Sequence, residues 1–169
     1  MTDVRSLSDI ALYHNDTEKS LRLFFSRSNP QLIVRFPNYL PIEIERELKE
    51  RLTETEMRSI LVIIARVDAA LCKDYAVRCK LKKPDNVSIA FRKSYAIRKK
   101  RPRLEEDILD VWAQNVDPPT RRIISGLRGI LNFRHWLAHG RYWNPGQKYG
   151  YEDAYLLADS ILTGFQLYD

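Results

Sequence analysis

A helical period that runs through most of the chain constrains it more than any other feature. With each residue turning by about 100°, Ile60, Ile64, Val67, Leu71 and Tyr75 line one face of a helix, and Ile63 and Ala70 lie beside them. Only six glycines interrupt the 169 residues, and the prolines gather at segment boundaries. The pattern predicts an all-α protein with helices near residues 16–26, 42–52, 53–80, 88–99, 104–115, 119–139 and 152–165. QLIVRF (31–36) has the composition of a strand but no second strand to pair with, so an extended segment is expected there.

A chain of this length fits one domain, which would bury roughly 70% of the surface its unfolded form exposes. No disulfide or metal is needed to hold such a core. Cys72 and Cys79 lie seven residues apart in one predicted helix, so about 10 Å of rise separates them and they are expected to stay reduced. The longest apolar run, ILVIIA (60–65), falls far short of the ~20 residues that cross a bilayer. The first twenty residues lack the apolar centre of a signal peptide, so a cytoplasmic location is expected. With neither a Walker-type glycine-lysine pattern nor GxGxxG, ATP-driven and dinucleotide chemistry are disfavoured, and no cofactor is expected.

Charge is unevenly placed. The chain carries a net +6, yet residues 82–103 hold Lys82, Lys83, Arg92, Lys93, Arg98, Lys99, Lys100, Arg101 and Arg103 against Asp85 alone, a net of +8. A solvated helix face is the ordinary explanation for such a run; an anion-binding surface is the alternative, with nucleic acid the commonest partner. Phe91 and Tyr95, four residues apart, are expected to anchor this helix to the core.

The stretch LNFRHWLAHGRYW (131–143) carries two of the three histidines. On the preceding helix, Ile123, Ile124, Leu127, Ile130, Leu131 and Ala138 form an apolar face, and Arg134 points the same way. An arginine sealed there without a partner would cost several kcal/mol, so it must reach a carboxylate, a subunit interface or a pocket that receives an anion. His135 and His139 align one turn apart, and Gly140 supplies a helix stop. Three explanations compete. Positive groups are favoured at a helix C-terminus, which alone could account for them. Two histidines at i and i+4 could share a zinc ion, although tryptophan stands where HExxH has glutamate, and a third ligand would have to come from His14, a cysteine or an acid. The third explanation is metal-independent acid–base chemistry on RNA, with histidines moving protons and an arginine fork holding phosphate. Asp68, at the edge of the apolar stripe, is either a surface-edge aspartate or local hydrogen-bonding partner, or an acid that orients an arginine or histidine from a facing helix.

RHWLAH (134–139) resembles the R-x(4–6)-H signature of the HEPN superfamily (higher eukaryotes and prokaryotes nucleotide-binding), including the polar residue after the arginine and the position at the end of a long, late helix. The resemblance implies a four- or five-helix bundle over residues 53–169; residues 1–52 lie outside it and are expected to form an N-terminal extension packed on the bundle. It also implies a homodimer whose paired motifs form a metal-independent endoribonuclease, commonly a toxin or antiviral-defence RNase with a cognate antitoxin or regulatory partner. Some members bind RNA or nucleotides without catalysis. Carried onto this chain, Arg134 would hold the scissile phosphate, His139 would transfer protons, His135 would position arginine or RNA, and Asp68 would be the acid on the facing helix. RNA contacts are expected from Arg92, Lys93, Arg98, Lys99, Lys100, Arg101 and Arg103, and from Arg141 beside the motif.

Overall fold

A computed structural model describes residues 6–98, 102–141 and 143–168, and among these every regular element is helical. The elements are α1 (Leu7–Phe24), α2 (Pro30–Arg35), α3 (Pro41–Leu81), α4 (Asn86–Arg98), a π-helical turn (Leu104–Leu109) that leads into α5 (Asp110–Asn115), α6 (Pro118–Ala138) and α7 (Tyr151–Gly164). α3 is the central element: it packs against α1, α4, the π-turn, α6 and α7.

Local chemistry places several boundaries differently from the periodicity. α1 begins well before Asp16 because Ser6 Oγ accepts from the Asp9 N–H while the Asp9 carboxylate accepts from the Ser6 N–H, a reciprocal capping box. Residues 30–35 are a helix, not an extended segment. Asn29 caps it by accepting from the Gln31 N–H at 3.1 Å, Pro30 supplies a preset first-turn φ, and Leu32 is buried. The two helices expected over 42–80 are one. Nothing at Leu52 or Thr53 breaks the backbone ladder, and the Thr55 hydroxyl bonds back to the Arg51 carbonyl across the expected junction. The expected boundary between extension and bundle therefore falls inside a continuous helix.

Ile60, Ile63, Ile64, Val67, Leu71 and Tyr75 of α3 enter the main core with Phe91, Ile108, Leu109, Trp112, Ile124, Leu127, Ile130 and Ile161. Leu71, Phe91 and Ile161 have no exposed surface, and burying each side chain contributes about 1.5–3 kcal/mol. Tyr95 does not share the anchoring role of Phe91: it is half exposed. Ser94 turns inward in its place and donates to Asp107 at 3.1 Å, so the buried path on α4 follows the i+3 direction.

At one end of the bundle Arg141 reaches Glu54 and the Tyr151 N–H reaches Glu56; at the other Arg78 reaches the Gln166 carbonyl. These contacts set α6 and α7 against the C-terminal part of α3. N-terminal to Glu54, α3 instead packs with α1 and α2 through a second, smaller core of Phe25, Leu32 and Phe36, flanked by Leu21, Phe24, Ile44 and Leu48. The Arg51 guanidinium lies over the Phe25 and Phe36 rings at 5.4 and 5.8 Å.

A buried ionic network ties the opposite end. Arg78, 4% exposed, donates to Asp74 at 2.7 Å, to Asp85 at 2.9 Å and to the Gln166 carbonyl at 2.6 Å, and its guanidinium lies 4.5 Å from the Tyr168 ring centroid. Burial pushes the Asp74 carboxyl up from its ordinary value, opposed by the Tyr168 N–H and by Arg78.

Candidate active site at the end of α6

α6 buries Ile124, Leu127, Ile130, Leu131, Phe133, Trp136 and Leu137. The apolar face predicted from sequence holds as far as Leu131 and then diverges, with Ala138 exposed and Phe133, Trp136 and Leu137 inside. The cause is the following loop. Trp136 Nε1 donates to the Trp143 carbonyl at 2.6 Å, Phe133 packs on Tyr149, and the Tyr149 hydroxyl occupies the notch at Gly129, where a Cβ would stand 1.9 Å from that oxygen. Gly140 and Arg141, at φ +87° and +60°, make the turn that starts this return.

Arg134 is consequently exposed rather than sealed among apolar side chains, and it avoids the burial cost that its position in the stripe predicted. Among the described residues its side chain makes no hydrogen bond or ion pair. It lines an open cleft of about 470 Å³ whose walls include Asp68 from α3, Leu104 and Glu105 from the π-turn, and Leu131 and His135 from α6. The His135 and His139 ring centroids are 4.2 Å apart, and the Trp143 ring is 5.8 Å from His135. His139 is the C-cap residue of α6, its N–H bonded to the His135 carbonyl. One solvent-facing helix end thus gathers an unpaired guanidinium and two adjacent imidazoles.

Asp68 shares the cleft with Arg134 and His135 but bonds neither: its carboxylate accepts from Cys72 Sγ at 3.3 Å. Glu105 and Glu106, which the sequence reading passed over, line the same space. Their signal in the sequence is an acidic pair directly after the basic block, in the first turn of a helical segment, where carboxylates complement backbone N–H groups. A π-turn at this wall is itself an uncommon geometry that recurs at functional sites.

Among the described residues the basic side chains do not converge as one patch. Arg103 reaches the cleft but pairs with Glu106 and lies 3.9 Å from Asp107. Arg92 donates to the Lys83 carbonyl at 2.8 Å and so secures the α3–α4 connection, while Lys93 is exposed. Arg98 is the last residue of α4, and Lys99, Lys100 and Arg101 lie outside the described residues. Arg141 turns away to Glu54 at 2.9 Å, whose carboxyl it holds below the ordinary value, and lines a different cleft with Arg46, Lys49 and Thr53.

Among the described residues no three His, Cys, Asp or Glu side chains are grouped to hold a metal ion. His14, considered from sequence as a third ligand, is buried on α1, hydrogen-bonded through Nδ1 to Ser59 Oγ at 2.9 Å and stacked on Tyr151 at 3.8 Å. Cys72 and Cys79 are not joined in a disulfide, and no described helix is long and apolar enough to cross a membrane. No protein-family model, curated protein or solved structure significantly matches this chain.

Proposed function

We propose that this chain is a HEPN-like, metal-independent endoribonuclease that cuts RNA by attack of the ribose 2′-hydroxyl. The observation that carries the proposal is the juxtaposition of His135 and His139, 4.2 Å apart, with the unpaired Arg134 at the mouth of an open cleft. The 2′-oxygen forms a bond to phosphorus as an imidazole takes its proton, and the bond from phosphorus to the 5′-oxygen breaks as an imidazolium supplies a proton to that leaving group. A 2′,3′-cyclic phosphate and a free 5′-hydroxyl result. Arg134 offers two parallel N–H donors to the non-bridging oxygens as charge builds on them. His139 is the proton-transfer group, and His135 either orients RNA or completes the acid–base pair within one chain. The homodimer implied by the resemblance would bring two such clusters together, and the role in a cell would be that of a toxin or defence RNase held by a cognate partner.

A noncatalytic RNA- or nucleotide-binding module is the second proposal, favoured by the lining of the cleft, which includes Arg134 and His135 but not His139. Incubation of purified protein with RNA in EDTA separates the two. Cleavage that persists in EDTA, leaves a 2′,3′-cyclic phosphate, spares DNA and disappears in His139→Ala supports the ribonuclease. Binding without cleavage, indifferent to His139→Ala, supports the module.

A further inference from the structure

We infer that the cleft beside Arg134 is a base-reading pocket that takes guanine, with Glu105 as the residue that selects it. The inference rests on the proposal above for its substrate class, RNA, and adds which nucleotide the site holds.

The cleft is poorly built for phosphate alone. Arg134 is its one cation without a partner among the described residues, since Arg103 is engaged by Glu106. Against it stand Asp68 and Glu105, neither of which pairs with a cation, so a second phosphate in the same space would meet uncompensated negative charge. Glu105 is exposed, and among the described residues its carboxylate makes no hydrogen bond or ion pair. Leu104 and Leu131 add apolar wall. At about 470 Å³ the space falls within the range of sites that hold a small ligand. A wall of carboxylate and leucine beside a lone guanidinium suits one nucleotide: phosphate on Arg134, base against the leucines, base edge toward the acid.

The edge decides the base. Single-stranded RNA is read on its exposed Watson–Crick edges. Guanine alone among the four RNA bases offers two adjacent donors there, N1–H and the 2-amino group, which match the two oxygens of one carboxylate. Adenine and cytosine each set a ring-nitrogen acceptor beside their amino group, and uracil flanks its single N–H with carbonyl oxygens. Each therefore turns a lone pair toward the second carboxylate oxygen, a repulsion that rejects the wrong base as well as a missing hydrogen bond.

Calorimetric titration of the full chain with 3′-GMP, 3′-AMP, 3′-CMP and 3′-UMP tests this apart from cleavage. The expected result is tightest binding of 3′-GMP, by about tenfold or more, as a charge-assisted pair lost to the other bases would give. Glu105→Gln, which keeps shape but replaces one acceptor by a donor, should erase the preference; Glu45→Gln, an exposed carboxylate on the distant start of α3, should leave it intact. Equal affinities, preference for another base, no binding of any nucleotide, or a guanine preference that survives Glu105→Gln would each overturn the pocket. Preferential 3′-GMP binding by a protein that cuts no RNA would sink the ribonuclease and keep the pocket. RNA cut with no base preference would do the reverse.

Discussion

The ring centroids of His135 and His139 lie 4.2 Å apart, the rings tilted by 49° to each other, one helical turn apart at the open end of α6. If the proposed cleavage operates, two imidazoles this close would act on one reaction centre as a unit, so their losses should not add. His139→Ala is expected to lower RNA turnover by about 10² to 10⁴ with little change in RNA affinity, because proton transfer acts in the transition state. The double variant His135→Ala/His139→Ala should be scarcely slower than His139→Ala alone. Single-turnover rates that fall by the product of the two separate losses would show that the histidines work independently.

In the proposed reaction Arg134 would bear on ground state and transition state together. Arg134→Ala should weaken RNA binding and slow cleavage, whereas Arg134→Lys should recover most of the binding and little of the rate, since an ammonium restores charge without the planar fork. Equal recovery of both by lysine would reduce the arginine to a point charge.

The basic block should show itself in salt dependence. For single-stranded RNA the log-log slope of affinity against salt is about −0.7 per phosphate contact, and Arg98→Ala/Lys99→Ala/Lys100→Ala should flatten it. Arg92→Ala should flatten it less, because the Arg92 side chain is bonded to the Lys83 carbonyl. A slope that the triple variant leaves unchanged would return the block to a solvated surface.

A buried ion pair ties the other end of the bundle. Arg78→Met leaves Asp74, which has no exposed surface, without its guanidinium, and strands the Gln166 carbonyl. Breaking one side of a buried pair typically costs about 3–5 kcal/mol, to be read from the denaturation midpoint. Asp74→Asn/Arg78→Met, which removes both charges, should recover part of the loss; a double variant as unstable as the sum of its parts would argue against coupling.

Alkaline titration offers a separate check. Burial, reinforced by Cys79, pushes the Tyr75 phenol up to about 12 from its ordinary 10.0. The folded protein thus retains a proton that the unfolded chain has already released, so this contribution to stability is complete below pH 10.0 and is lost as pH rises toward 12. Phenolate absorbance should show Tyr75 ionising late, together with base-induced unfolding, and Tyr75→Phe should remove that part of the pH dependence. Early, reversible ionisation of Tyr75 in folded protein would contradict its burial.

The sequence by itself determined the helical class and the inward face of α3, because a stripe at 3.6-residue spacing is a property of neighbours along one chain. It also placed His135 and His139 together, since residues four apart are neighbours on a helix surface whatever surrounds them, with Arg134 adjoining His135 at the same helix end. Local capping at Ser6 and Asn29 was equally present in the sequence, but it outweighed composition only where Leu32 found Phe25 and Phe36 to pack against. Tertiary structure decided the rest. Arg134 lies on the apolar side of α6 by angle alone, yet it faces solvent because Trp143 and Tyr149, beyond the helix end, pack on Trp136 and Phe133 instead. Glu105 joined the site because the π-turn lines the same cleft as Asp68 and Arg134, residues far from it in the chain. The i+4 spacing of Asp74 and Arg78 was legible, but their burial depended on Asp85 and the Gln166 carbonyl arriving from other segments. Periodicity records which side of a helix seeks cover; it carries no record of where the covering segment ends, and the candidate site lies where that cover stops.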